Sequence, residues 1–384
     1  MPKAAILTGL DQPLEIHDVE LDTPHAGEVR VRMAASGVCH SDLSVQNGTL
    51  MGVAPIVLGH EGAGIIEEVG EGVTDLKPGD HVVVSWVPQC GDCYFCERDQ
   101  HQLCQAADAS LASGGLLDGT PRFKWNDAPL SQMAASGTFA EHSVIPESGA
   151  VKIPDDVDMK VAALIGCGVL TGVGAALNTA DIKKGDTVAV VGCGGVGLNV
   201  IQGARIAGAK EIIAVDMNET KLQMAKEFGA TATVNASQTN PVAQVMSMTN
   251  ERGADVAFEV IGLGPTIDQV ITMTRRGGQA ILVGVPRMDV MVNIPAFLGI
   301  VLQEKTIKGC WYGSSSVQED VPKLIDLYKK GELKLDELIS REISLEEVNE
   351  AFEAMKTGEV ARSVIVYGDA DTSAAKKTAA SKNA

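Results

Sequence analysis

The stretch DTVAVVGCGGVGLNVIQGARIAGAKEIIAVD, residues 186–216, constrains the fold more than any other part of this chain. An apolar run, a glycine-rich turn, a helical period and a second apolar run follow one another, which reads as strand, turn, helix, strand. A helix between two strands makes a crossover, so the strands are parallel. Gly192, Gly194 and Gly197 form G-x-G-x-x-G at the turn. Glycines there permit the tight bend and let backbone amides approach a pyrophosphate at the helix N-terminus. Asp216 ends the next strand, 19 residues beyond Gly197. Its carboxylate suits the adenosine ribose hydroxyls and repels a 2′-phosphate, so the predicted cofactor is NAD rather than NADP. Cys193 and Cys310 lie in apolar strand contexts and read as packing residues.

The same rhythm continues downstream, with a helix at NETKLQMAKEFGA and strands at ADVAFEVIG, GGQAILVGV and KTIKGCWYG. Alternation of this kind predicts a doubly wound parallel sheet. Before residue 155 the pattern differs: short apolar runs broken by turns such as KPGD and IPDD predict a β-rich domain. After 313 the chain reads as helices (VQEDVPKLIDLYKKGEL, SLEEVNEAFEAMKTGE) and a closing strand, SVIVYG. The last sixteen residues, 369–384, are Ala, Lys, Ser and Thr without periodicity and read as a disordered tail.

Four cysteines fall within CGDCYFCERDQHQLC, residues 90–104. Eight cysteines in 384 residues is too sparse for a disulfide scaffold. The N-terminus lacks a basic segment followed by an apolar run, and no stretch of ~18 consecutive apolar residues is seen. The expectation is therefore a cytoplasmic chain with reduced thiols and no membrane partner. A formal net charge of −19 repels polyphosphate backbones and argues against nucleic acid. Clustered thiols in a reducing compartment point to metal. Cys90, Cys93, Cys96 and Cys104, spaced C-x2-C-x2-C-x7-C, supply four sulfurs and leave no open position, which is structural zinc ligation. The ferredoxin run has other spacing and a following proline, where this chain has Gln105.

Cys39, His60 and Cys167 are scattered, as the parts of an assembled site would be, but spacing alone assigns them nothing. A resemblance does. The segment GHEGAGIIEEVGEGV, with CHSD, GCGVLTG, the four-cysteine lobe, GCGGVG with Asp216 and the closing ARSVIVYG, resembles the zinc-dependent medium-chain alcohol dehydrogenases over residues 1 to about 368. The resemblance implies an α/β fold class: a GroES-like β-barrel catalytic domain plus a doubly wound parallel-sheet Rossmann domain. The corresponding boundaries are 1–168 for the first part of the catalytic domain, with the metal lobe at 88–105, then 169–311 for the NAD-binding domain and 312–368 for the return segment.

Carried over residue by residue, the resemblance implies two zinc ions per chain. Cys39, His60 and Cys167 would hold the catalytic one and leave its fourth position open. Glu61 is expected close behind that metal, and Asp42 on the far ring nitrogen of His60, fixing its tautomer. Thr171, Val196, Lys221, Val285 and Arg362 match dinucleotide contacts, with Arg362 and His40 at the pyrophosphate. An alcohol gives up hydride only after losing a proton held with a pKa of ~16, which a cationic Lewis acid brings toward neutrality. Ser41 is placed to take that proton. Ser44 stands where many relatives carry a relay histidine, so the relay ends in water or involves His40.

Leu50, Trp86 and Trp311 match pocket-lining positions. The loop VQNGTLMGVAP carries no acid, unlike the branch that oxidises thiol–aldehyde adducts, so primary aliphatic or aromatic alcohols and their aldehydes are the expected substrates. Three alternatives remain at this stage: a nicotinoprotein with non-exchanging NAD and an external electron acceptor, an S-hydroxymethyl-thiol (formaldehyde) dehydrogenase, and a non-catalytic NAD-binding protein with structural zinc only. Segment 105–140 resembles the long loop of dimeric members, so a homodimer is expected, with a tetramer as the alternative.

Overall fold

The computed structural model describes residues 1–357 and 361–368, so the expectation for 369–384 lies outside the described residues. The chain forms two units, Met1–Cys167 together with the chain from Ser316 onward, and Gly168–Ser315.

The first unit is built on the eleven-residue strand Glu28–Val38. Glu61–Val69 and Arg362–Val366 pair antiparallel to it, and His142–Pro146 pairs with its N-terminal part. His81–Val84 and Ala150–Ile153 extend this seven-stranded sheet on one side, and Ile339–Ile343 on the other. A second, six-stranded sheet contains Lys3–Leu7, whose Ala4 makes an isolated antiparallel bridge to Ala140. Side chains from both sheets, including Leu7, Val29, Val31, Met33, Ile66 and Ile365, share one buried core with Phe139 and with Phe352 of the helix Val348–Thr357. Alternate strand residues feed that core, which is why the sequence shows short apolar runs and not long ones.

The β-rich expectation before residue 155 is met, with helical insertions. Gln105–Ser113 forms a helix ended by Gly114 at φ 71°. Its alanines favour helix, and a glycine in the left-handed region is the usual stop. His40–Gln46 is a two-turn helix entered directly from the long central strand.

In the second unit six parallel strands run in the order Ala232–Asn235, Glu211–Asp216, Thr187–Val191, Ala254–Glu259, Thr274–Leu282 and Thr306–Gly309. Thr187–Val191 is buried throughout, as expected of a central strand covered on both faces. Chain order reverses between it and Ala254–Glu259, and the crevice at such a reversal is where ligands of these sheets bind. Helix Glu219–Glu227 starts at Asn218, whose side chain accepts from the amides of Thr220 and Lys221. Helix Pro241–Met248 starts at Asn240 with proline in its first turn.

The segment from Met159 to Thr179 is a helix interrupted by two π-helical stretches, Ile165–Val169 and Ala175–Thr179. Among the described residues it alone is long and apolar enough to cross a membrane, and 83% of its most apolar window is buried inside the protein. That burial accounts for its composition.

Candidate active site

Three separate elements of the first unit converge. Cys39 follows the long strand and caps helix His40–Gln46 with extended backbone (φ −108°, ψ 154°). His60 precedes strand Glu61–Val69. Cys167 sits in the π-helical stretch Ile165–Val169, a helix irregularity often found at functional sites. Flanking Gly166 lets that turn lie against the strand backbone, since a Cβ there would come within 2.6 Å of the Val84 carbonyl oxygen. Ligand atoms of Cys39, His60, Glu61 and Cys167 all lie within 4.8 Å of one another, and all four residues are buried.

Asp42 organises this cluster. Fully buried, its Oδ2 accepts from the Cys39 amide at 2.9 Å, and its Oδ1 accepts from the Gly59 amide at 3.1 Å and from His60 Nδ1 at 3.0 Å. A carboxylate oxygen only accepts, so the His60 proton sits on Nδ1 and leaves Nε2 for a cation. Burial opposes charge on His60, but Asp42 outweighs it and raises the imidazole pKa well above its ordinary value.

The thiols are matched. The hydrogen bond with Cys167 draws Cys39 well below the ordinary thiol range, and the same contact pushes Cys167 well above it. Glu61 is pushed up to about 8 by burial, against the pull of Arg362. Arg362 Nη1 lies 3.2 Å from Glu61 Oε1, yet neither Glu61 oxygen accepts a well-directed hydrogen bond. Electron-pair donors crowded together in a buried space, one carboxylate lacking a directed partner, fit a divalent cation.

Trp86 packs beside His60, the two rings nearly perpendicular with centroids 6.3 Å apart. Ser41 is half-buried, its Oγ 3.8 Å from Cys39 Sγ. His40 is exposed at the start of its helix. Leu50 is partly buried and packs on the barrel core. Arg362, expected from the sequence at a pyrophosphate, is buried against Glu61, with Cys39 and Cys167 among the groups acting on it.

The second cysteine cluster is equally compact. Ligand atoms of Cys90, Cys93, Cys96 and Cys104 lie within 4.8 Å of one another, and the Cys90 and Cys104 sulfurs are 3.5 Å apart. Tetrahedral sulfurs about 2.3 Å from zinc would be spaced by about 3.8 Å, so the lobe fits that ion. Amides of Cys96 and Gln105 draw the Cys93 thiol down to about 6, which favours the thiolate a metal needs. A third group, His25, Glu28 and Asp118, has the spacing of a metal site but is already compensated. Arg122 reaches Glu28 through Nε at 2.9 Å and Nη2 at 2.5 Å, and Asp118 through Nη2 at 2.7 Å.

Comparisons with known proteins give the family. Residues 25–155 match the alcohol dehydrogenase GroES-like domain and residues 195–330 the zinc-binding dehydrogenase domain. Over 369 residues the chain is 40% identical to an NDMA-dependent alcohol dehydrogenase of Amycolatopsis methanolica, covering 95% of this chain and 98% of that one. The chain belongs to the zinc-dependent alcohol dehydrogenases. A solved benzyl alcohol dehydrogenase from Acinetobacter calcoaceticus superposes with a TM-score of 0.90 at 31% identity, over 96% of this chain and 99% of that one. An alcohol dehydrogenase zinc-binding domain protein from Burkholderia ambifaria superposes with a TM-score of 0.91 at 32% identity, with the same coverage. This dehydrogenase is an oxidoreductase acting on alcohols with zinc and a nicotinamide cofactor, on a GroES-like unit and a parallel-sheet unit.

The parallel-sheet unit of the dehydrogenase carries the glycine turn at the C-terminal end of strand Thr187–Val191. Gly192 has φ 101°, which favours glycine, and a Cβ on Gly197 would overlap the Gly192 carbonyl. A Cβ on Gly194, by contrast, would meet nothing within 4 Å, an open approach to the first turn of helix Gly195–Ile206. Asp216 accepts from the amides of Cys193 at 2.8 Å and Asn218 at 2.9 Å, which pins its carboxylate beside the turn. Val196 lies in the first turn of the helix and Lys221 in that of the next. Thr171 lies in helix Leu170–Gly174, whose Gly172 packs against Val196 and Asn199. Val285 and Trp311 follow the last two strands and are 44% and 41% exposed. Cys193 and Cys310 are buried.

Proposed function

We propose that Cys39, His60 and Cys167 hold a catalytic zinc and that this dehydrogenase oxidises primary alcohols with NAD, or reduces the aldehydes. The donor cluster pinned by Asp42 carries this reading. Two thiolates and a neutral imidazole would balance a divalent ion, so the metal would keep its Lewis acidity. Four thiolates at Cys90, Cys93, Cys96 and Cys104 would instead leave a bound zinc with net negative charge, which suits a structural role. When bound, the catalytic zinc supplies polarisation of the substrate oxygen, and the nicotinamide supplies the hydride acceptor.

Ser41, beside Cys39, takes the alcohol proton and passes it toward water or His40. Trp86 shapes the substrate side of the cluster, with Trp311 and Leu50 as further pocket candidates, and its indole favours flat or extended substrates. Asp216 selects NAD, whose pyrophosphate meets the turn of Gly192, Gly194 and Gly197; Thr171, Val196, Lys221, Val285, His40 and Arg362 complete the cofactor set. A homodimer is the preferred assembly, formed by the edge strand Thr306–Gly309 extending its sheet across a two-fold axis, in the cytoplasm.

A second reading differs only in the fate of the cofactor: NAD stays bound and an external acceptor reoxidises it. The NDMA dependence in the name of the Amycolatopsis relative favours keeping it. One assay separates the two. Absorbance at 340 nm is followed with added NAD across ethanol, hexanol, benzyl and cinnamyl alcohols, then turnover is measured with an artificial acceptor and no added NAD. Turnover requiring added NAD establishes exchange; turnover only with the acceptor establishes a resident cofactor. No turnover in either format, with the zinc sites filled, refutes the substrate assignment.

A further inference from the structure

Gly37 is not a glycine for backbone reasons. It lies within a regular strand, and its φ is outside the left-handed region that favours glycine. Its constraint is spatial. Gly37 pairs directly with Glu61 on one neighbouring strand and with Val364 on the other. Residues two apart on a strand share a face, so Arg362 lies on the Val364 side, diagonal to Gly37. Glu61 and Arg362 therefore sit on the two strands flanking Gly37, and their 3.2 Å ion pair spans the strand between them. A Cβ at position 37 would overlap Glu61 Oε2 and come within 3.1 Å of Glu61 Cβ and 3.0 Å of Leu164 Cδ2.

We propose that Gly37 is a positioning residue for the dehydrogenase reaction: the missing side chain is the space that lets the Glu61 carboxylate lie back toward Arg362, away from the substrate position on the metal. A methyl group at 37 displaces the carboxylate from that space. Glu61 is 0% exposed and its carboxylate lies within 4.8 Å of the Cys39, His60 and Cys167 ligand atoms, so a carboxylate pushed out of the space at 37 moves toward those three ligands. There it competes with substrate for the open position. The inference rests on the reading of Cys39, His60 and Cys167 as the catalytic metal site.

Cobalt(II) loading with visible spectroscopy, together with kcat/KM for benzyl alcohol, tests it in wild type, Gly37→Ala, Glu61→Asp and the double variant. Cobalt in the four-cysteine lobe contributes equally to every protein and cancels in difference spectra. The expected result is a changed ligand-field spectrum and a kcat/KM at least tenfold lower for Gly37→Ala. Glu61→Asp withdraws the carboxylate by one methylene, so the double variant should recover to within about threefold of Glu61→Asp alone, in both spectrum and rate. Unchanged ligand-field bands in Gly37→Ala, or a double variant no better than Gly37→Ala, overturns the proposal. So does a Gly37→Ala chain that fails to fold and is not rescued by Glu61→Asp, since the clash would then be with Leu164. Failure of wild type to take up cobalt outside the lobe would instead refute the metal-site reading.

Discussion

Replacing Asp42 by asparagine changes one atom type at the point where the candidate metal site is organised. Oδ1 holds two donors, Gly59 N–H and His60 Nδ1–H, and Oδ2 holds one, Cys39 N–H. Asparagine keeps two bonds by placing its oxygen at the Oδ1 position. Its NH2 group then faces the Cys39 amide, donor against donor. A buried amide left unpaired costs about 1–3 kcal/mol, and the two surviving bonds lose charge assistance, which roughly halves them. The expected destabilisation is about 2–4 kcal/mol. Alanine would orphan all three donors, at roughly 3–9 kcal/mol, comparable with the whole stability of a domain, so asparagine is the informative change. His60 also loses the negative partner that favours a cation on Nε2, so affinity at the Cys39–His60–Cys167 site should fall about 10–100-fold. Competition with a chromogenic chelator measures it, with the four-cysteine lobe as an internal reference, and urea unfolding measures the stability loss. A variant that releases zinc from the Cys39–His60–Cys167 site at the wild-type chelator concentration, with an unchanged urea midpoint, would refute the reasoning that the Asp42 charge and its bond to the Cys39 amide hold the site together.

Other outcomes follow from the same geometry. Cys96→Ser removes one sulfur from the lobe, so zinc per chain should fall by one and proteolysis should begin near exposed Gly91 and Asp92; retention of the full zinc count sinks the four-ligand assignment. Asp216→Asn keeps an acceptor for one of the Cys193 and Asn218 amides, turns its NH2 toward the other, and removes the charge. Two like charges 4 Å apart repel by about 1 kcal/mol even in water, so the ratio of kcat/KM for NAD over NADP should fall at least about fivefold. An unchanged ratio would mean that Asp216 does not face the ribose. Burial pushes Asp255 up, but the Thr187 amide and then the Arg275 guanidinium outweigh it and hold its carboxyl below the usual range. Stability from a depressed carboxyl is present above the unfolded pKa of about 3.9 and is lost as pH falls through the folded value. Asp255→Asn should therefore cost about 1.5–3 kcal/mol at pH 7, and the deficit should shrink as pH falls below the usual carboxylate range; a deficit constant with pH refutes the charge argument.

Chemistry confined to a short stretch of chain could be read from residue order alone. Four cysteines within fifteen residues must lie near one another whatever the rest of the molecule does, and the structure brings their ligand atoms within 4.8 Å. The glycine turn and Asp216 were legible for the same reason, because one strand–turn–helix–strand unit brings them together. Cys39, His60 and Cys167 are different. Their residue types suggested a site only through the resemblance of the surrounding motifs, and their convergence depends on a strand end, a strand start and a π-helical turn meeting in one unit.

What only the tertiary structure decided lies across strands. That Arg362, more than 300 residues from Glu61, pairs with it over a glycine follows from the order of three neighbouring strands, which local periodicity does not encode. The segment Met159–Thr179, interrupted by Lys160, Thr171 and Asn178, has an average composition that suits a membrane span or a core helix, and its burial inside the protein decided it. Sequence specifies contacts a few residues apart through backbone geometry and turn chemistry. Contacts hundreds of residues apart arise only when apolar faces are buried together and strand register is set, and Gly37, Glu61 and Arg362 meet because of that register.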